Sequence, residues 1–196
     1  MTKIHKTIAS LISTCVILGC SLMNGKGPEP FTISENKVQL TTPGLSFTLP
    51  ASKWVMRPSD YKSQTNIELV SFTRAEPILL ADEQAYYPTI SIITETLPEV
   101  ATLESYDEYV RASIENSGMT FEILDPLASI EGLMPKINGI GWKTLTHTQQ
   151  GTSMGYLINI VNLKFGIRFV LESTPENFTE IEPEFIEIIK SIEVEG

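Results

Sequence analysis

Apolar residues along this chain follow two rhythms. Over 45–49 they alternate with polar residues, the period-two pattern of a strand, and 66–74 and 89–96 are further strand-like runs. From Leu103 the spacing changes: Leu103, Tyr106, Val110 and Ile114 recur every three or four residues, Thr102 can cap the start, and Gly118 follows the end. A helix is expected there. Three further strand-like runs, 142–149, 156–163 and 167–173, are separated by short glycine-containing turns, as in a meander. In the middle one, Tyr156, Ile158 and Ile160 point one way while Leu157, Val161 and Leu163 point the other. Both faces of that strand must therefore be covered.

The final rhythm is helical again. Thr174-Pro175-Glu176 offers a capping hydroxyl and a proline at the first helical position. Phe178, Ile181, Phe185, Ile188, Ile189 and Ile192 then form an apolar stripe, with Glu176, Glu180, Glu184 and Glu187 among them. Pro183 should kink this helix or divide it into a short turn and a longer piece. One helix for each face of a mostly antiparallel sheet predicts an α/β/α sandwich, a mixed α/β (α+β) class.

The beginning of the chain has another character. Lys3 and Lys6 precede an apolar stretch over 8–18 that ends in Gly19-Cys20, the three-part layout of a secretory signal. The stretch is well short of the roughly 20 apolar residues needed to span a bilayer. Its end, Ile17-Leu18-Gly19-Cys20, resembles a lipobox, which implies cleavage before Cys20 and lipid chains, thioether-linked diacylglycerol and an amide-linked acyl group such as palmitate, on that cysteine. More than one chain is what stable anchoring requires. Cys15 is a poorer candidate, because Thr14 before it is β-branched and the apolar run would be cut in half. The expected organisation is a signal peptide over 1–19, a lipidated linker of turn formers over 20–30, and one domain over 31–196. Ser21 after the cysteine resembles the outer-membrane sorting class, facing the periplasm, if the host is Gram-negative.

Charge and cysteine content narrow the function classes. The 196 residues carry a formal charge of −10. Loss of Lys3 and Lys6 with the signal takes the remainder to about −12, which argues against nucleic acid and against adhesion to anionic head groups, leaving the lipid as the membrane anchor. With Cys15 removed and Cys20 acylated, no cysteine remains for a disulfide, a thiol nucleophile or a thiolate metal ligand.

The run Phe47-Thr48-Leu49-Pro50 with Trp54, the strand pair after Gly141-Trp142, and the ending Phe169-Val170-Leu171-Glu172-Ser173-Thr174-Pro175-Glu176-Asn177-Phe178 with Pro183-Glu184-Phe185 and Lys190-Ser191-Ile192 resemble PsbP-like proteins. Within that superfamily they are most similar to DcrB-type bacterial lipoproteins. The resemblance spans roughly 31–195 and is made of core and turn positions. It implies an α/β/α sandwich and a non-enzymatic accessory or binding role.

Candidate chemistry is sparse. Gly151-Thr152-Ser153-Met154-Gly155 fits the nucleophile-elbow pattern, which needs a helix immediately after the serine and a histidine later in the chain. A strand pattern follows instead, no histidine lies beyond Ser153, and a hairpin turn is the simpler reading. His147 is the one histidine left after signal cleavage and has no metal-ligand spacing around it. Glu104, Asp107, Glu108 and Glu115 in one helix, and Glu180, Glu182, Glu184 and Glu187 in the other, read as polar faces rather than paired catalytic carboxylates. Trp54, Trp142, Tyr106 and Tyr109 read as core or core-edge aromatics. No cofactor or metal is expected.

The expected function is a lipid-anchored envelope protein whose domain binds a protein or small ligand. The rivals are a hydrolase using Ser153 or paired carboxylates, and a structural envelope spacer. Between the strands ending near Arg74 and starting at Thr89 lies a long connection rich in Ile78, Leu79, Leu80, Tyr86 and Tyr87. Its aliphatic part is expected to fold back over the sheet. Tyr86 and Tyr87 are the candidate partner-contact residues, since tyrosines bury much area at little rotamer cost.

Overall fold

The computed structural model describes residues 31–50, 53–56, 62–63, 67–79, 85–127, 137–149 and 151–195. Fourteen strands and two helices follow in the order β1 (Phe31–Ser34), β2 (Lys37–Leu40), β3 (Leu45–Thr48), β4 (Trp54–Met56), β5 (Lys62–Ser63), β6 (Ile67–Arg74), β7 (Ile78–Leu79), β8 (Ala85–Tyr86), β9 (Thr89–Thr96), α1 (Leu103–Asn116), β10 (Thr120–Pro126), β11 (Gly139–Thr148), β12 (Gly151–Asn162), β13 (Phe165–Ser173), α2 (Phe178–Lys190) and β14 (Glu193–Val194).

The large sheet runs β10-β11-β12-β13-β9-β6-β4, with β5 also lying along β6. Every described pairing is antiparallel. The expected meander is its centre, and alternation decides what each face carries. On β13, Ile167, Phe169 and Leu171 are buried on one side, and Ile90 and Ile92 of β9 face the same way through the register Phe169↔Ile92 and Leu171↔Ile90. On β12 Tyr156, Ile158 and Ile160 continue that face while Leu157 and Asn159 are buried on the other, so both sides are covered as the sequence indicated. That strand begins at Gly151, earlier than the apolar run suggested, and takes the predicted turn residues 152–155 into the ladder.

The first face packs on α2, whose stripe Phe178, Ile181, Phe185, Ile188 and Ile189 is buried, as is Ile192 just beyond it. Beside α2 lies a second sheet, β1-β2-β3-β14, which supplies Val38, Leu40, Leu45 and Phe47 to the same core. This layer corrects the helix-flanked sandwich: the first face is covered by one helix and four short strands, so the fold is more strand-rich than expected. The run at β3 showed its alternation, but β1, β2 and β14, of four, four and two residues, carry too little periodicity to be seen alone. The opposite face packs on α1, where Tyr106 and Val110 meet Leu157.

Helix ends followed their chemistry unevenly. Thr102 caps α1 in a reciprocal box with Ser105, each side chain bonding the other's backbone N–H at 3.2 and 2.9 Å. Thr174 does not cap α2. Residues 175–177 form a turn closed by Asn177 N–H to Thr174 O, and Asn177 is the residue before the helix. Pro183 does not divide α2, which runs unbroken from Phe178 to Lys190; the acceptor its missing N–H leaves unbonded belongs to exposed Thr179, where water can serve.

Candidate functional site

The most ordered polar chemistry lies where the helices meet the large sheet. On the α1 side, Asp107 is 2 % exposed, and its carboxylate accepts from Trp142 Nε1 at 2.9 Å, Asn159 Nδ2 at 2.7 Å and Arg111 Nε at 2.9 Å. Beside it Glu95 accepts from the Tyr106 hydroxyl at 3.0 Å and from Arg168 at 3.2 Å. Burial pushes the Tyr106 hydroxyl's pKa well above its ordinary value, with Arg168 opposing and Glu95 reinforcing. On the α2 side, Glu184 accepts from Trp54 Nε1 at 3.0 Å and Lys53 at 3.1 Å, with Arg74 at 3.3 Å. Each helix is thus fastened by a carboxylate that holds an indole N–H and at least one cation. These bonds tie the helices to the sheet and engage both carboxylate oxygens of Asp107 and of Glu184.

Two corrections follow. Asp107 and Glu184 are not on polar faces, and the sequence held the signal for this. Asp107 lies four residues after Leu103 and three before Val110, and Glu184 three after Ile181 and four before Ile188, so both sit on the apolar stripes. An acid on such a stripe demands a buried donor, and the two tryptophans are the donors. Tyr109, expected in the core or at its edge, is 55 % exposed and stacks on Tyr106. Glu182 is half-buried between Lys143 at 2.8 Å and the Tyr156 hydroxyl at 2.6 Å. Desolvation raises its pKa, but the hydrogen bonds from Lys143 and Tyr156 and the Lys143 charge outweigh it and hold the carboxyl below its usual range.

The predicted contact residues sit at one end of the large sheet. Tyr86 is half-buried on β8, paired with Ile78 of β7, and Tyr87 is half-buried next to it. The aliphatic part of the connection is split: Ile78 joins the main core, Leu79 is 70 % exposed, and Leu80 lies outside the described residues. Glu172 of β13 is close enough for its charge to add to the desolvation that raises the Tyr86 pKa. Ser153 of β12 donates to Glu172 Oε1 at 3.0 Å, which partly opposes the burial that raises the Glu172 pKa. Position 155, opposite Glu172, takes glycine because a Cβ there would collide with the carbonyl of Leu171. Tyrosine, carboxyl and hydroxyl therefore converge at this sheet end.

Ser153 is fixed inside a strand, with Tyr156 and its neighbours continuing as strand where an elbow would need a helix. It pairs opposite Thr146, and His147 pairs opposite Thr152, so serine and histidine lie on opposite faces of the sheet. His147 Nδ1 meets the Thr152 hydroxyl at 3.0 Å at the exposed end of the β11–β12 hairpin. Among the described residues no group of three His, Cys, Asp or Glu is placed to hold a metal, and no helix is long and apolar enough to cross a membrane. Cys20, the signal region and the linker lie outside the described residues.

No protein-family model matches the sequence, and no curated protein does. Solved structures do. The chain superimposes on the cyanobacterial PsbP protein CyanoP from Synechocystis sp. PCC 6803 with a TM-score of 0.55 at 14 % identity, covering 89 % of this chain and 98 % of that one. A Ran-binding protein of Saccharomyces cerevisiae, Mog1p, aligns at a TM-score of 0.47 and 14 % identity over 83 % of this chain and 96 % of its own. The first likeness shows a PsbP-like fold.

Proposed function

We propose that the chain is a bacterial envelope lipoprotein of the DcrB type, cleaved before Cys20 and held by lipid on that residue. Its 31–196 domain serves as a non-enzymatic binding or accessory module. In a Gram-negative host its place is the outer membrane, facing the periplasm. The anchor half of this reading rests on Ile17-Leu18-Gly19-Cys20 behind a short apolar run. The binding half is carried by one observation: Ser153 and His147 point to opposite faces of the sheet, and the other buried acids are engaged with indole, amide and cationic donors. Tyr86 and Tyr87, next to exposed Leu79, are the proposed contact with a partner protein or small ligand.

Mass spectrometry of the mature N-terminal peptide from the native host tests the anchor. A diacylglyceryl mass on Cys20 is expected, lost in Cys20→Ser, and an unmodified Cys20 would overturn the assignment. Fluorophosphonate labelling tests the binding half, with no adduct expected; labelling that disappears in Ser153→Ala would make the protein a hydrolase. For the contact surface, Tyr87→Ser should lower recovery of whatever cross-links to the native protein in intact cells, and unchanged recovery would place the contact elsewhere.

A further inference from the structure

The two most exposed large hydrophobic residues among those described are Val100, at 88 %, and Leu163, at 84 %. Single exposed aliphatics are ordinary on protein surfaces, but these two occupy neighbouring turns. Val100 lies in the turn closed by Ala101 N–H to Pro98 O, between β9 and α1. Leu163 is at the tip of the β12–β13 hairpin, and the two turns are joined by Leu97 N–H to Lys164 O at 2.8 Å. Leu163 also holds a left-handed backbone, φ 54°, at a tip where glycine or asparagine is less strained. An exposed leucine in that conformation gains nothing for the fold, so its side chain calls for a use outside it.

The chain enters the fold at the same pole. Phe31, the first described residue, pairs with Leu40, which leads into the 41–44 turn. That turn is bound to the hairpin tip by Asn162 Nδ2 donating to Pro43 O at 2.9 Å. Ten residues, 21–30, separate Cys20 from Phe31. Fully extended they reach about 35 Å, and as a flexible coil they average roughly 15–20 Å. A lipid on Cys20 therefore keeps the point where the chain enters the fold, at this pole, within that reach of the bilayer. The charges around it include exposed Lys164 and the exposed acids Glu99, Glu104 and Glu195, the last engaged with Gln39.

We infer that this pole is a second membrane contact, in which Leu163 and Val100 enter the head-group boundary while Lys164 remains at phosphate level. The contact rests on the lipoprotein reading for its tether. It needs no basic surface, because aliphatic side chains partition by area and not by charge, so the acidic balance of the chain does not oppose it. The lysine next to the leucine fits such a boundary, with its stem along the apolar surface and its ammonium in the head groups.

The test supplies the tether artificially, so that it does not depend on acylation. Residues 20–196 with Cys20→Ser and an N-terminal hexahistidine are held on vesicles of phosphatidylethanolamine with a minor share of phosphatidylglycerol and a nickel-chelating lipid. One cysteine, introduced as Leu163→Cys, Val100→Cys or Gln149→Cys, carries a nitrobenzoxadiazole label. Gln149 lies in the turn between β11 and β12, at the opposite end of β12 from the hairpin tip. The labels at 163 and 100 should shift to shorter wavelength and be quenched several-fold more by spin-labelled lipid than the label at 149. Leu163→Asn should abolish most of the shift at position 100 and leave the melting temperature unchanged or higher. Water-like emission at all three positions, or equal lipid signals at 163 and 149, would overturn the inference. An unmodified Cys20 in the native protein would overturn the lipoprotein reading alone, since the tethered chain reports on the pole by itself.

Discussion

Trp142 donates its indole N–H to the Asp107 carboxylate at 2.9 Å, joining a strand of the sheet to the helix that covers it. The same oxygen receives Asn159 Nδ2, so one buried acceptor serves a buried amide and a half-buried indole. Truncating it strands both, and an unpaired buried donor costs the full price of its lost hydration. Asp107→Ala should destabilise the domain by about 3 kcal/mol, lowering the melting temperature by roughly 6–12 °C. In a double-mutant cycle with Trp142→Phe the losses should fall short of additive, as measured by urea denaturation. Additive losses would mean that the contact carries no energy.

Exposure separates two acids one helical turn apart on α2. Glu184 is buried and holds Trp54, Lys53 and Arg74, whereas Glu180 has a side chain 63 % exposed and touches Arg74 at 3.5 Å. Glu184→Ala should cost about 3 kcal/mol, because it leaves an indole N–H and a guanidinium at a poorly hydrated boundary. Glu180→Ala should change stability by less than about 0.5 kcal/mol. Equal effects in parallel melts would show that burial is not what gives the α2 contact its weight.

The carboxyl of Glu172 has its pKa raised by burial in spite of the Ser153 hydrogen bond. A raised acid binds its proton more tightly folded than unfolded. It therefore opposes folding once pH has climbed through the folded value, and the penalty disappears below the unfolded value of about 4.3. Glu172→Gln should raise the melting temperature at pH 7, and the advantage should shrink to nothing as pH falls below about 4. Glu182, whose pKa is lowered, works in the opposite sense in both proteins and so cancels from the difference. A wild-type advantage at pH 7 would show that the ionised carboxylate is needed there, which would favour a binding role for it.

Phe169 of β13 and Phe185 of α2 are both fully buried in the main core. Each Phe→Ala change should cost about 3–5 kcal/mol by guanidinium or thermal denaturation. Near-wild-type melting of either would contradict the packing of α2 on the first face of the large sheet.

The sequence by itself determined the elements whose own period reveals them. The meander, the β9 run and both helical stripes could be read because each run is long enough for its apolar face to repeat several times. The cap at Thr102 could be read because it is local chemistry, completed within three residues. The lipobox reading of Cys20 is of the same local kind and awaits its own measurement. Only the tertiary structure decided the rest. In the four-stranded layer only β3 showed a period; β1, β2 and β14 are too short for one, and β14 joins the layer from the far end of the chain through Glu193↔Ser46. Thr174 carried the right residue type for a cap, but a turn over 175–177 displaced the helix start. The stripe positions of Asp107 and Glu184 were legible in the sequence, but the donors that let them be buried there were not. Both acids are buried because a tryptophan, 35 residues away in one case and 130 in the other, supplies an N–H that must also be satisfied. The meeting of Phe31, Pro43, Leu97 and Leu163 at one pole is likewise a fact of topology, since strand pairing, not proximity in the chain, brings those turns together.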